Sequence, residues 1–77
     1  MFLYKNIHAL RVIKGLTQET VAKALAISQS YYSRIEREQA NIPVDLLIKI
    51  SEYFKVSIEE LLFVDMGGKV NNQFSFS

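Results

Sequence analysis

The chain has 77 residues, a net charge of +1 and no cysteine, and 49% of its residues are hydrophobic. This composition predicts one small globular domain instead of a disordered chain, and the absence of cysteine excludes disulfides and thiolate metal sites. No apolar run approaches the about 20 residues of a membrane span, and the first residues lack the pattern of a signal peptide. We therefore expect a cytoplasmic protein with no membrane partner.

Charge is distributed unevenly along the sequence. Residues 1–41 contain six Lys or Arg and three Glu, whereas residues 42–77 contain three Lys and five acidic residues. An excess of cations in one part of a domain favours an anionic partner on one face. The alternative is a chance imbalance, which is common in small domains.

Residues 5–14 are predicted to form the first helix, and Gly15 is placed to end it. Three- and four-residue spacing marks the inner edge of this helix at Ile7, Leu10 and either Ile13 or Lys14. For the first four residues the alternatives are a loose arm, an extra strand or a contact with a neighbouring chain. His8, the only histidine, is expected to be an exposed helix residue without the partner that a metal or catalytic role needs.

Two short amphipathic segments follow, at residues 18–25 and roughly 29–37, with Thr17 and Ser28 as suitable N-caps. The positions expected to be buried hold Val21, Leu25, Ile27, Tyr32 and Ile35. The outer face of the second segment holds Gln29, Ser30, Tyr31, Ser33 and Arg34. Neither segment is long enough to be stable alone, so the two must pack on each other and on the first helix. A polar outer face with one strong cation is typical of a helix that lies against DNA.

Pro43 suits the first position of a fourth helix that runs to about residue 54. Its inward stripe is predicted to consist of Val44, Leu47, Ile50, Ser51 and Phe54. Ser57 and Glu60 have capping-box spacing and open a short fifth helix that ends at residue 62 or 63. The other apolar side chains of this region exceed what one inward stripe needs and favour a homodimer face. They are Leu46, Ile48, Tyr53 and Phe63.

Residues 64–77 differ in character from the helical region. Gly67 and Gly68 predict a helix break, and residues 73–77 alternate polar and apolar side chains as an edge strand does. The alternatives are a disordered tail and a strand that pairs with another segment, including one in a second subunit.

Residues 5–63 resemble the helix-turn-helix domains of the lambdoid phage repressor and Cro family, often called the xenobiotic-response-element type. The residues that carry the resemblance are Leu10-Arg11, Lys14-Gly15-Leu16-Thr17-Gln18, Val21-Ala22, Leu25, Ile27-Ser28, Tyr31-Tyr32-Ser33-Arg34-Ile35-Glu36 and Val56-Ser57-Ile58-Glu59-Glu60-Leu61-Leu62. The resemblance implies an all-α fold: a five-helix, repressor-like DNA-binding domain at residues 1–63. Residues 64–77 then form a C-terminal tail, with a strand or a dimerisation element as candidate roles.

The resemblance also implies roles for individual residues. Base contacts are expected from the outward positions of the recognition helix, which are Gln29, Ser30, Tyr31 and Arg34; glutamine can pair with adenine and arginine with guanine. Phosphate contacts are expected from Thr17, Gln18, Ser33, Arg37 and Asn41, with a merely solvated face as the alternative for Arg37. Arg11 and Glu36 are expected to form an ion pair between the first and third helices, so that Arg11 is structural.

Three residues depart from the family, which commonly has glycine at their positions. For Ala26, in the turn between the two segments, the alternatives are a strained left-handed conformation and a different backbone path. Glu38 replaces a glycine after the recognition helix and brings an acid near the expected phosphates. Lys55 stands where a glycine often ends the fourth helix.

The function expected from this resemblance is sequence-specific transcription regulation by a homodimeric repressor or controller that reads a palindromic operator in double-stranded DNA. Antitoxins, phage switches and restriction-modification controllers are the candidate contexts. The alternative is a protein-interaction module on the same frame, such as an adaptor or an antitoxin that binds a protein. An enzyme is not expected, because the sequence has no glycine-rich phosphate loop and no cluster of catalytic residues. No metal, cofactor or small-molecule substrate is expected either.

Overall fold

The computed structural model describes residues 1–67, and in this range the chain forms five α-helices and no strand. They are α1 (Leu3–Ile13), α2 (Gln18–Leu25), α3 (Gln29–Glu36), α4 (Val44–Phe54) and α5 (Ile58–Phe63). The all-α fold expected from the sequence is confirmed for these residues. The predicted strand at residues 73–77 lies outside the described range. None of these five helices has the length and apolar character required to cross a membrane.

Three of the helices have a hydroxyl side chain as their N-cap. Thr17 and Ser28 each accept a hydrogen bond from the third backbone N–H of α2 and α3, at 3.0 and 3.1 Å. Ser57 and Glu60 form the expected capping box at α5, with bonds of 3.0 and 2.9 Å. These caps satisfy N–H groups that have no partner within the helix, so these short helices begin where the sequence predicts.

The first helix begins earlier than the sequence predicts, and its buried face also begins and ends earlier. It starts at Leu3, so the first four residues form neither a loose arm nor a strand. Leu3 is buried, and the Phe2 N–H donates to a carbonyl of α5 at 2.9 Å. Because the start of α1 is fixed by this contact with α5, the residues near it in sequence do not reveal where the helix begins. Ile13 is 55% exposed and Lys14 is exposed, so neither continues the inner edge.

The fourth helix differs from the prediction at its start. Pro43 is the N-cap and not the first helical residue, because its ψ of 158° is extended. Val44 is 72% exposed, whereas Leu46 is buried with Ile50 and Phe54. The predicted stripe through Val44 and the observed stripe through Leu46 share Ile50 and Phe54. Packing of α4 against α2 and α5 selects the second stripe.

Helices α1 to α5 share one hydrophobic core. Its buried members are Leu3, Ile7, Leu10, Val21, Ala22, Leu25, Tyr32, Ile35, Leu46, Ile50, Phe54 and Leu61. The positions predicted to be buried in α2 and α3 are confirmed, with Ile27 partly buried against the cluster. Because α2 packs on α3 and α1 packs on both α3 and α5, the helix pair is supported from behind.

Asn6 is a fully buried polar residue of α1 that the sequence analysis did not single out. Its Nδ2 donates to the carbonyls of Leu61 at 2.7 Å and Val64 at 2.6 Å, and its Oδ1 accepts the N–H of Met66 at 2.9 Å. One carboxamide therefore fastens the end of α5 and the segment after it to α1. Gly67, where a helix break is predicted, has helical backbone.

Three residues other than glycine adopt left-handed backbone conformations. Ala26 and Glu38 have φ of 60°, and Lys55 has φ of 58°. These are the three positions at which the resembled family commonly has glycine. The backbone at Ala26 is therefore the strained left-handed turn and not a different path. Each such residue costs about 1 kcal/mol, because Cβ approaches the following carbonyl oxygen.

Candidate nucleic-acid interface

The polar face of α3 is open to solvent. Gln29, Ser30 and Arg34 are exposed, whereas Tyr32 and Ile35 are fully buried on the opposite face. Two core side chains thus anchor the helix while amide, hydroxyl and guanidinium groups project outwards. Groups of these kinds can form hydrogen bonds with base edges in a major groove.

Tyr31 connects α3 with the loop that follows it. Its ring is partly buried against the core, and its hydroxyl donates to the backbone carbonyl of Asn41 at 2.9 Å. The Asn41 residue is exposed, and it shares with Tyr31, Arg34 and Gln39 the wall of an open groove. The Tyr31 hydroxyl therefore fixes the loop, and its oxygen can still accept one further hydrogen bond.

The start of α2 presents an amide side chain whose position is fixed from within the domain. Gln18 is the first residue of α2, and its Nε2 donates to Glu36 Oε1 at 3.1 Å. The second hydrogen on Nε2 remains for another acceptor. The Thr17 hydroxyl caps α2 and also lies 2.8 Å from the Thr20 hydroxyl. Both of these contacts are within the domain, so the hydroxyl already has hydrogen-bonding partners there.

Behind this surface, Arg11 and Glu36 form an ion pair between α1 and α3. Arg11 Nε donates to Glu36 Oε2 at 2.6 Å and Nη2 donates to Oε1 at 3.1 Å. Arg11 Nη1 also donates to the carbonyl of Leu16 at 2.9 Å, which holds the turn between α1 and α2. The Glu36 side chain is 4% exposed and that of Arg11 is 15% exposed. The pair therefore joins three helices at the base of the interface.

Burial and hydrogen bonds shift the pKa values of Glu36, Arg11 and the neighbouring Tyr32. Burial opposes ionisation of Glu36, but the bonds that it accepts, foremost from Arg11, outweigh burial and lower its pKa to about 2. The Arg11 pKa is raised, chiefly by its hydrogen bond to Glu36. Tyr32 has a buried hydroxyl without a hydrogen bond of ordinary geometry among the described residues. Burial and the neighbouring Glu36 carboxylate raise the pKa of Tyr32.

The loop after α3 carries charges of both signs. Arg37 is exposed, and its Nε donates to Gln39 Oε1 at 3.2 Å. Ser33 is partly buried, one turn before Arg37 on α3. Glu38 is exposed beside them, so an acidic side chain does stand among the residues predicted to contact phosphates. This arrangement limits the electrostatic attraction that the loop can exert on DNA.

His8 has a partner that the sequence analysis missed. Its side chain is 55% exposed, yet its Nδ1 lies 3.0 Å from Glu36 Oε1. His8 is thus an exposed residue of α1, as expected, and has in addition a hydrogen-bonding partner in Glu36. The partner is 28 residues away in the sequence, so no local pattern reveals it. Within residues 1–67, no group of three His, Asp or Glu side chains is placed to hold a metal ion.

Comparison with known proteins gives matches over the same part of the chain. The family model described as helix-turn-helix matches residues 7–61. The chain is 40% identical over 54 residues to the HTH-type transcriptional regulator PrpR of Mycobacterium tuberculosis, a match that covers 70% of this chain and 11% of PrpR. The chain thus spans only a small part of that relative.

Two further relatives are closer to this chain in length. Control protein C.SmaI of Serratia marcescens is 28% identical over 60 residues, covering 78% of this chain and 71% of that protein. The uncharacterized HTH-type transcriptional regulator MJ0272 of Methanocaldococcus jannaschii is 33% identical over 55 residues, covering 71% of this chain and 83% of that protein. No solved structure gives a significant match.

Proposed function

The chain belongs to the Cro/C1-type helix-turn-helix family, a family of DNA-binding regulators, and from this premise we propose that it is a homodimeric transcriptional regulator that binds a palindromic operator in double-stranded DNA. The observation that carries this proposal is the division of α3 into two faces. Tyr32 and Ile35 are fully buried, while Gln29, Ser30 and Arg34 are exposed. A helix anchored in this way can enter a major groove without disturbing the core. Such a role requires no catalytic group.

Base reading is assigned to the exposed face of α3. Gln29 can pair with adenine and Arg34 with guanine, each through two hydrogen bonds. Ser30 and Tyr31 are assigned to a thymine methyl group or a neighbouring polar atom. Their partial or full exposure at the start of α3 supports this assignment.

Phosphate contacts set the register of the protein on the duplex. We assign them to polar residues that flank the recognition helix: Thr17, Gln18, Ser33, Arg37 and Asn41. The donor that Gln18 retains on Nε2 and the exposure of Arg37 and Asn41 support the assignment. Because Arg37 is the one cation among these five residues and the acidic Glu38 follows it, we expect a moderate dependence of affinity on salt concentration.

The dimer is proposed from the apolar surface of α4 and α5. Val44 is 72% exposed, Ile48 is 42% exposed and Phe63 is 67% exposed. Val44 and Ile48 are four residues apart and share one face of α4, which packs on α5. A second copy of the chain would cover this surface and place two recognition helices at half-sites about 10 base pairs apart.

The relatives, which include a control protein and transcriptional regulators, support a repressor or controller role. A regulator of bacterial or phage type would act in the cytoplasm, where its operator lies.

Enrichment of a randomised duplex library on the purified protein at near-physiological salt tests the proposal. We expect a palindromic motif whose half-sites are about 10 base pairs apart. Gln29→Ala and Arg34→Ala should each relax the preference at single motif positions, by about 1–3 kcal/mol per base pair. Lys49→Ala, an exposed cation of α4 outside the assigned contacts, is the matched control and should leave the motif unchanged. If no motif is enriched and binding disappears with modest salt, the contact is non-specific and a protein-interaction module becomes the better reading.

A further inference from the structure

We propose that His8 is a further phosphate-contacting residue of this interface and that the domain takes up a proton at His8 when it binds a DNA duplex. This inference rests on the proposed function, because it concerns the same DNA-binding surface. It adds a residue from α1 to an interface otherwise assigned to α2, α3 and the loop after α3. It also assigns a pH dependence to DNA binding.

The placement of His8 follows from one shared oxygen atom. Glu36 Oε1 lies 3.0 Å from His8 Nδ1 and accepts a hydrogen bond from Gln18 Nε2 at 3.1 Å. The imidazole and the carboxamide therefore converge on one oxygen atom, which also accepts a hydrogen bond from Arg11 Nη2 at 3.1 Å. Gln18 is the residue assigned to a backbone phosphate at the start of α2. A phosphate contacted by Gln18 would therefore lie near the exposed side chain of His8.

The orientation of the ring determines what His8 offers to that phosphate. An ionised carboxylate only accepts hydrogen bonds, so the contact with Glu36 requires a hydrogen on Nδ1. Nε2 lies on the edge of the ring away from this contact, and the side chain is 55% exposed. A neutral His8 with its hydrogen on Nδ1 presents a lone pair at Nε2, which repels a phosphate oxygen. A protonated His8 presents an N–H donor and a positive charge.

The charges around His8 make protonation responsive to DNA. Glu36 faces the ring with a negative charge, and Arg11 shares that carboxylate from α1. Tyr32 contributes a buried neutral hydroxyl from α3, and α2 contributes the neutral Gln18. Since Arg11 already balances Glu36, a proton on His8 adds a positive charge to the surface. A nearby phosphate stabilises that charge, so DNA binding and proton uptake favour each other.

Histidine is the side chain whose charge ordinarily changes between about pH 5 and 8, which sets the conditions of the test. The dissociation constant of the full chain is measured at pH 6 and pH 8 and over a range of salt. Two probes are used, the duplex enriched from the random library and a 30-base-pair duplex of mixed sequence. We expect affinity to fall by about three- to tenfold per subunit from pH 6 to pH 8 on both probes. The slope of log affinity against log salt should be smaller at pH 8 by about 0.9 per subunit.

Two variants of His8 separate a DNA contact from a purely structural ion pair. His8→Gln keeps an amide donor for Glu36 but cannot gain a charge, so affinity should stay low and independent of pH. His8→Arg is charged throughout this range, so affinity should stay high and independent of pH. A structural role alone would not produce this restoration by arginine. Lys49→Gln, which removes a cation of α4, should retain the pH dependence of the wild type. Melting temperatures at both pH values confirm that each variant is folded.

The outcomes distinguish this inference from the function on which it rests. If the wild type enriches a motif but its affinity for each probe is the same at pH 6 and pH 8, the role of His8 is refuted. The proposed function as a DNA-binding regulator then still stands. The same holds if His8→Gln keeps the pH dependence. If the wild type binds neither probe at low salt, the proposed function fails and the role of His8 fails with it.

Discussion

Arg11 and Glu36 meet through two hydrogen bonds, Nε to Oε2 at 2.6 Å and Nη2 to Oε1 at 3.1 Å, with the carboxylate almost completely buried. The same carboxylate receives Gln18, and the same guanidinium holds the Leu16 carbonyl. The pair therefore fixes α1, α2 and α3 relative to one another. It stabilises the frame on which the recognition helix is presented.

The first prediction concerns the loss of one partner of this pair. Arg11→Ala leaves the buried Glu36 carboxylate without its main counter-charge, so we expect a loss of about 3–5 kcal/mol in the free energy of unfolding. Arg34→Ala removes an exposed side chain and should change stability by less than about 0.5 kcal/mol while weakening DNA binding. Thermal and urea unfolding of both variants provide the measurement. Equal melting temperatures for the two variants would refute the structural role of Arg11.

The second prediction concerns acid. The Glu36 pKa is about 2 in the folded protein against 4.5 for the ordinary group, so the unfolded chain binds the proton more readily. The resulting stabilisation is complete above pH 4.5 and is lost as the pH falls towards 2. It amounts to about 3 kcal/mol, from 1.36 kcal/mol per pKa unit. Urea unfolding between pH 7 and pH 2 should show this loss. Glu36→Gln should flatten the profile below pH 4.5, whereas Glu59→Gln, which changes an exposed carboxyl group of α5, should not.

The third prediction concerns the left-handed residues. Ala26→Gly, Glu38→Gly and Lys55→Gly should each stabilise the fold by about 0.5–1 kcal/mol, since glycine adopts positive φ without steric cost. This gain is net of the extra freedom that glycine gives the unfolded chain. Ala24→Gly is the matched control for the first variant because Ala24 lies inside α2. It should destabilise the protein by about 1 kcal/mol. Urea unfolding should show that Ala26→Gly raises the free energy of unfolding and that Ala24→Gly lowers it.

The fourth prediction concerns Asn6. Asn6→Ala removes three hydrogen bonds at once, of which the bond to the Leu61 carbonyl is buried and the bonds to Val64 and Met66 are partly buried. We expect a loss of at least about 3 kcal/mol in the free energy of unfolding. Asn41→Ala removes the same group from an exposed position and should cost less than about 0.5 kcal/mol. A small loss at Asn6 would mean that its hydrogen bonds contribute little net stability.

The features predictable from the sequence are those encoded by residues close to one another. Thr17, Ser28 and Ser57 each act on a backbone N–H three residues later, so they locate the starts of α2, α3 and α5. Helical spacing within α2 and α3 separates the buried Tyr32 from the exposed Arg34. Because the resemblance rests on these same stretches, the family is recognisable from the sequence alone.

The features that escaped prediction depend on distant partners. Asn6 is bonded to residues 55 to 60 positions away, and nothing near it in sequence distinguishes it from an exposed asparagine. His8 reaches Glu36 in the same way, across 28 positions. In α4, Val44 and Leu46 are equally apolar, and only the neighbouring helices decide which of them is buried.

The bonds of Asn6 have a consequence for synthesis of the protein. Its amide belongs to the second turn of α1, yet all three of its partners come from residues 61–66. A nascent chain that has not yet released these residues from the ribosome leaves a polar group unsatisfied against the forming core. The domain therefore closes only after residues 61–66 have left the ribosome, when α5 can pack on α1.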